Sequence, residues 1–268
     1  MRTERARTAN LAALLTALAA IASLLDGAPF WVGFMVVGAA GAFGTFHYLA
    51  DLDPRGVPIE SLTTPAVATA AVAAVAHLVG VDVVLLLVLG GGSLLIAVTL
   101  LLEARLLGPA DEVRARRERQ LVPLTVLLAF LGFTGVAGAV FAGMAAPIPG
   151  SAEPAAIDQS GLVLLGLMDG AIAFLLGYRL AAERAPDLIE AAWAAGTFAV
   201  VTGVAAALVR AVALPRLLGP AILAGVFYLW SAYRAAPGAE RRSAGWIWEY
   251  VVLAVALAGV VALNLLVR

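Results

Sequence analysis

The chain has 268 residues, 63% hydrophobic and 13% charged, with a formal net charge of −1 and a mean hydropathy of +1.00. A soluble domain carries about 25% charged residues, so a water-surrounded globule is excluded for most of this chain. All 17 basic residues are arginine, as a GC-rich coding bias produces, and lysine and cysteine are both absent; that excludes Schiff-base and amine-nucleophile chemistry, thiol catalysis, disulfide staples and thiolate metal sites.

Apolar runs with few or no charges succeed one another along the chain. They predict an all-α, polytopic transmembrane bundle of about nine spans, near 8–25, 30–50, 65–80, 83–104, 121–145, 161–180, 188–209, 213–233 and 244–266. The whole of 1–268 reads as a single integral membrane domain.

The first run follows Arg2, Arg5 and Arg7, and small residues at Ala20 and Ala22 give it the look of a signal peptide as well. The next run begins after only the short turn Asp26-Gly27-Ala28-Pro29, which favours an uncleaved helix. In the second run Gly33, Gly38, Gly41 and Gly44 mix with Ala39, Ala40 and Ala42, with Gly41 and Gly44 on one face, a pattern for close helix approach. The third run is short, roughly 24 Å as helix against a hydrocarbon core of about 30 Å. It is expected to thin the bilayer locally or to pack inside the bundle, and a count of eight spans is the alternative.

Gly90, Gly91, Gly92 and Ser93 interrupt the fourth run, and Gly219-Pro220 stands at the matching place in the eighth. Paired interruptions of this kind mark solute sites where unwound helices expose backbone groups, although close packing through small residues explains them too. Between the fourth and fifth runs Arg114, Arg116, Arg117 and Arg119 alternate with Asp111, Glu112 and Glu118. Their place beside a membrane helix assigns them to topology and to anionic lipid headgroups rather than to nucleic acid. The connection at 147–160, with Pro147, Pro149, Gly150 and Pro154, is too short for a domain.

Near the middle of the sixth run stands Asp169. A carboxylate at the bilayer centre costs roughly 2.5–3.5 kcal/mol on insertion scales, so Asp169 is expected to face protein, protonated or hydrogen-bonded, with Thr197 and Thr202 of the next run as partners. The role such a residue suggests is proton or cation coupling.

With nine spans and the amino terminus inside, fourteen of the seventeen arginines fall in cytoplasmic segments, leaving Arg210, Arg216 and Arg268 outside. The chain is expected in the cytoplasmic membrane of a prokaryote, with its amino terminus cytoplasmic and its carboxyl terminus outside. Trp31 then falls at the outer interface and Trp193, Trp230, Trp246 and Trp248 near the inner one.

A faint repeat is also legible. A shift of 130 sets Tyr48 on Tyr178, Asp53 on Glu183, Ile59 on Ile189 and Glu60 on Glu190; a shift of 129 sets Arg105 on Arg234, Ala110 on Ala239 and Asp111 on Glu240. Two parallel four-helix units at 30–145 and 161–266, plus one extra first helix, are the arrangement this implies; chance matching of arginine-rich loops gives the same coincidences. Glu60 and Glu190 would then form a cation-attracting vestibule, whereas ordinary interfacial pairing is the plainer role for Glu60, Glu103, Glu190 and Glu249. His47 and His77 fall at opposite ends of their helices, so a shared metal or haem is not expected, and no cofactor motif is present.

Three classes of function follow. A transporter or channel for a small solute or ion accounts for the repeat, the paired interruptions and Asp169. A noncatalytic membrane subunit or scaffold is the alternative, and an intramembrane lipid-modifying enzyme the third, for which no cluster of acids, histidines or serines at one depth is found.

Overall fold

A segment without charges can satisfy its backbone amides and carbonyls away from water only by closing them on itself as helix. The computed structural model describes residues 2–53, 56–79, 81–107, 112–140, 159–211, 217–236, 248 and 251–252; among these there are eight helices and no strand. They are α1 (Arg2–Ser23), α2 (Ala28–Ala50), α3 (Glu60–Val79), α4 (Val83–Leu106), α5 (Glu112–Val140), α6 (Gln159–Ala182), α7 (Leu188–Ala211) and α8 (Leu218–Ala235). Seven, α1 to α7, are long and apolar enough to cross a membrane. Helix α8 falls short of that hydropathy because Pro220, Tyr228, Trp230, Ser231, Tyr233 and Arg234 dilute its apolar residues. The expected ninth span lies outside the described residues except for Trp248, Val251 and Val252.

Local chemistry sets the helix ends. Gly27 enters α2 at φ +61°, and Pro29 follows in the first turn, where its missing N–H costs nothing. Asp82 caps α4 through the amide of Val83, and the Asp187 carboxylate accepts from the Glu190 amide at the start of α7.

The short third run becomes the central helix. The mostly polar segment Glu60 to Thr64 extends α3 to 20 residues, about 30 Å, and 67% of its span is buried by contact with α1, α2, α4, α5 and α6. Of the two expectations for that run, packing inside the bundle is therefore the one that holds. Glycines and alanines make the crowding tolerable. Gly41 of α2 lies against Pro65, Ala66 and Thr69, and Gly135 and Gly138 of α5 receive Ala74 and Leu78 of α3. These matched residues increase together along both helices, so α3 and α5 run in the same direction.

Helices α6 and α7 form the most extensive pair. A Cβ at Gly166 would stand 3.2 Å from the carbonyl oxygen of Gly203, and one at Gly170 would stand 3.2 Å from that of Ala199. Only residues without side chains let two backbones meet so closely. The outward faces of α2, α4 and α7 carry exposed Val32, Met35, Leu86, Leu87, Leu94, Val200, Val204 and Leu208.

Candidate functional site

Charge is sparse in this bundle, and the structure gathers several charged groups at the end where α1 begins. Glu103, in the last turn of α4, is 0% exposed, and Arg179, in the last turn of α6, is 1% exposed. The Arg179 Nε donates to both carboxylate oxygens of Glu103, at 2.9 and 3.1 Å, and Nη2 donates to Oε2 at 2.9 Å. Nη1 turns to Glu183, four residues on and just past the end of α6. Thr64 of α3 lies beside the Glu103 carboxyl. Three helices thus converge on one guanidinium held by two carboxylates.

Above this network opens a pocket of about 140 Å³, lined by Asp53, Glu60, Ser61, Leu106, Arg179 and Glu183 among others. The turn between α2 and α3 supplies one wall. Gly56 adopts φ +118° there, a conformation L side chains avoid, and its amide bonds to the Asp53 carbonyl. That fold of the chain sets Asp53 and Glu60 on the same pocket. Among the described residues the lining therefore presents three carboxylates and one guanidinium, with Glu103 beneath.

Sequence reasoning put Glu103 among interfacial acids and Arg179 among topology determinants; the structure buries both and joins them. One signal was available. Each sits inside an apolar run rather than beyond it, Glu103 between Leu102 and Ala104, and Arg179 between Tyr178 and Leu180.

The expected vestibule is arranged differently. Glu60 lines the pocket with Asp53 and Glu183, while Glu190 is exposed in the first turn of α7 and is not part of the lining. The expected helix interruption is also absent. Helix α4 continues through Gly90, Gly91, Gly92 and Ser93, with Gly90 and Gly91 on the exposed face and Gly92 against Val72 of α3. Gly219 and Pro220 belong to the first turn of α8, both buried, rather than to a break in its middle. Because an unbroken helix keeps its hydrogen bonds, these glycines present no unwound backbone.

Asp169 does face protein, at 0% exposure. Thr197 is occupied elsewhere, donating to the Ala194 carbonyl and accepting from the Trp230 indole at 3.0 Å. Thr202 is fully buried, and its hydroxyl has no hydrogen-bond partner among the described residues. His77 bonds through Nδ1 to the Ser23 carbonyl at 2.9 Å and stacks on Phe30 at 4.1 Å, tying α3 to α1 and α2. His47 is exposed, edge-on to Phe43. Among the described residues no three acids or histidines come together to hold a metal. Arg119 is exposed; the side chains of Arg114, Arg116 and Arg117 lie outside the described residues, as do Glu249, Trp246 and 147–158.

Fold and site together define a class: an all-helical bundle, most of whose helices are long and apolar enough to cross a membrane, carrying a buried ion-pair network under a polar pocket at one end. No known protein family, characterised protein or solved structure matches the chain.

Proposed function

We propose that the chain is a multi-pass integral membrane protein that moves a small solute or ion, with the pocket between Asp53, Glu60 and Glu183 as its inner mouth and cationic species as its cargo. The observation that carries this reading is the Glu103–Arg179–Glu183 network under that pocket. Desolvating such groups costs several kcal/mol per ion even in real proteins, and intramembrane charges are kept where they serve a pathway. Among the described residues the pocket wall holds more carboxylates, Asp53, Glu60 and Glu183, than guanidinium groups, Arg179, and a wall of that composition favours cations.

A screen of thermal stability in detergent tests the site directly, using guanidinium and ethylammonium against acetate and sulfate. The cations are expected to stabilise the wild type, and Glu60→Gln to weaken that response. Labelled guanidinium should then exchange across proteoliposomes containing the protein. Stabilisation by none of these ions, without exchange, would remove the transport reading and leave the noncatalytic subunit or scaffold.

The proposed mouth faces the cytoplasm, a side that the arginine distribution supports, and Arg114, Arg116, Arg117 and Arg119 would meet anionic headgroups there. A cysteine at position 116 is expected to escape an impermeant maleimide in intact cells and to react once the membrane is opened. The native chain has no thiol to confuse the readout. Efficient labelling in intact cells would reverse the topology.

The two-unit repeat belongs to this proposal as well. Shifted by 130, α2 and α3 cover 158–180 and 190–209, close to α6 and α7. Both units would then share an orientation, related by an axis along the membrane normal.

A further inference from the structure

We infer that Glu183 is the exchangeable partner of Arg179: a cation bearing N–H donors enters the pocket and takes the Glu183 carboxylate from the Arg179 guanidinium, while Glu103 keeps Arg179 in place. The inference deepens the cationic-cargo reading above and rests on it, naming the class of cargo and the contact that gives way to it.

Two carboxylates hold the same guanidinium in different ways. Glu103 takes three hydrogen bonds, at 2.9, 3.1 and 2.9 Å, from Nε and Nη2. It is 0% exposed in the last turn of α4, where parting from its cation would strand a buried ion. Glu183 meets the remaining nitrogen, Nη1. Its side chain is 15% exposed, it stands on the turn that follows α6 rather than inside a helix, and it lines the pocket. A carboxylate already in touch with the pocket can pass from one cation to another without being buried afresh. Once Glu183 is taken, Arg179 and Glu103 remain a pair of opposite charges joined by two nitrogens of the guanidinium fork. The asymmetry decides which link opens.

The rest of the pocket indicates what replaces Arg179. Glu60 and Ser61 of α3 line the same cavity, Ser61 at only 3% exposure. Thr64 follows three residues after Ser61, on the same face of α3. Buried helical threonines elsewhere in the bundle, such as Thr45, Thr69 and Thr99, donate to a carbonyl of their own helix. Thr64 is fully buried near the Glu103 carboxyl but outside hydrogen-bonding geometry, and its hydroxyl has no partner among the described residues. Oxygens at several places around one small volume suit a planar cation that donates from more than one edge, as Arg179 itself does to Glu103 and Glu183. A cavity of about 140 Å³ suits guanidinium or a short alkylguanidinium, whose single charge replaces the one withdrawn from Glu183. A cation without N–H groups would satisfy the charge and leave the acceptors unmet.

The test uses the full chain in proteoliposomes, with isotope labels on the arginine guanidinium nitrogens and the glutamate carboxyl carbons, and reads nitrogen–carbon contacts by solid-state NMR. The contact missing from Glu183→Gln is that of Arg179 with Glu183; those missing from Glu103→Leu/Arg179→Met include that of Arg179 with Glu103. Unlabelled guanidinium, kept well below denaturing concentration, is expected to abolish the Glu183 contact and to leave the Glu103 contact intact. Tetramethylammonium at equal ionic strength should change neither. Calorimetric titration in nanodiscs should show guanidinium affinity lowered at least about tenfold in Glu183→Gln, which alters a partly exposed turn and is expected to fold. A merely structural Glu183 would affect stability and leave that affinity unchanged. Guanidinium binding with the Glu183 contact intact, undiminished affinity in Glu183→Gln, or equal binding of tetramethylammonium would overturn the exchange and leave a cationic cargo standing. Absence of guanidinium binding to the wild type would overturn both. Loss of the contact without movement of labelled guanidinium across the membrane sinks only the transport reading.

Discussion

Replacing Arg179 by methionine is expected to be the most damaging single change in this protein, lowering stability by about 3–5 kcal/mol. Glu103 would remain with 0% exposure after losing the three hydrogen bonds that compensate its charge. Leaving one buried ion behind is costly, whereas replacing both partners with apolar groups of similar volume is often neutral or stabilising. The double variant Glu103→Leu/Arg179→Met should therefore recover most of the loss in reversible unfolding from mixed micelles. A single-variant cost below about 1 kcal/mol, the range of exposed pairs, would show that this pair is open to water. If the double variant folds but no longer responds to guanidinium, the network is kept for the pocket rather than for stability.

The second large effect is expected where α6 meets α7. At Gly203 a Cβ would stand 3.0 Å from the Gly166 carbonyl oxygen. That neighbour is backbone, so it cannot step aside as a flexible side chain would. Gly203→Val should force the helices apart and cost about 1–3 kcal/mol or more, seen as a lowered unfolding midpoint and a disturbed setting of Asp169. Gly90→Ala is the matched control. Nothing lies within 4 Å of a Cβ there, and alanine improves helix propensity by up to about 1 kcal/mol, so no loss is expected. Equal losses at both positions would mean that glycine serves backbone flexibility rather than close packing.

How much of the candidate site was legible depends on what each residue shows in one dimension. Asp169 stood out because a carboxylate amid Met168, Gly170 and leucines has no local way to reach water. Glu103 and Arg179 stood out less, since a charge in the last turn of an apolar helix can snorkel to the interface. Whether it does depends on the neighbouring helices, and here α3 and α6 close over Glu103. The glycines of α4 read as an interruption because glycine both breaks helices and allows helices to touch. Only the position of Val72 opposite Gly92 decides between those uses. The missed regrouping of Glu60 has a similar cause: the turn through Gly56 brings Glu60 to Asp53, while α7 keeps Glu190 at the surface.

By itself the sequence determined the all-helical class, the existence of most helices and the approximate place of their ends. Those features follow from local rules, because an apolar segment of about 20 residues must close its own hydrogen bonds and Gly, Pro and Asp mark the turns. The tertiary structure alone decided which helix is central, which face of each is covered and which charges meet. Helix α3 illustrates the difference: its alanine-rich run looked too short to span, yet small side chains are what allow five other helices to pack around it. In an apolar chain nearly every face is hydrophobic, so periodicity carries little information about burial, and the partner of each face is chosen by shape and by the few polar groups that must be satisfied.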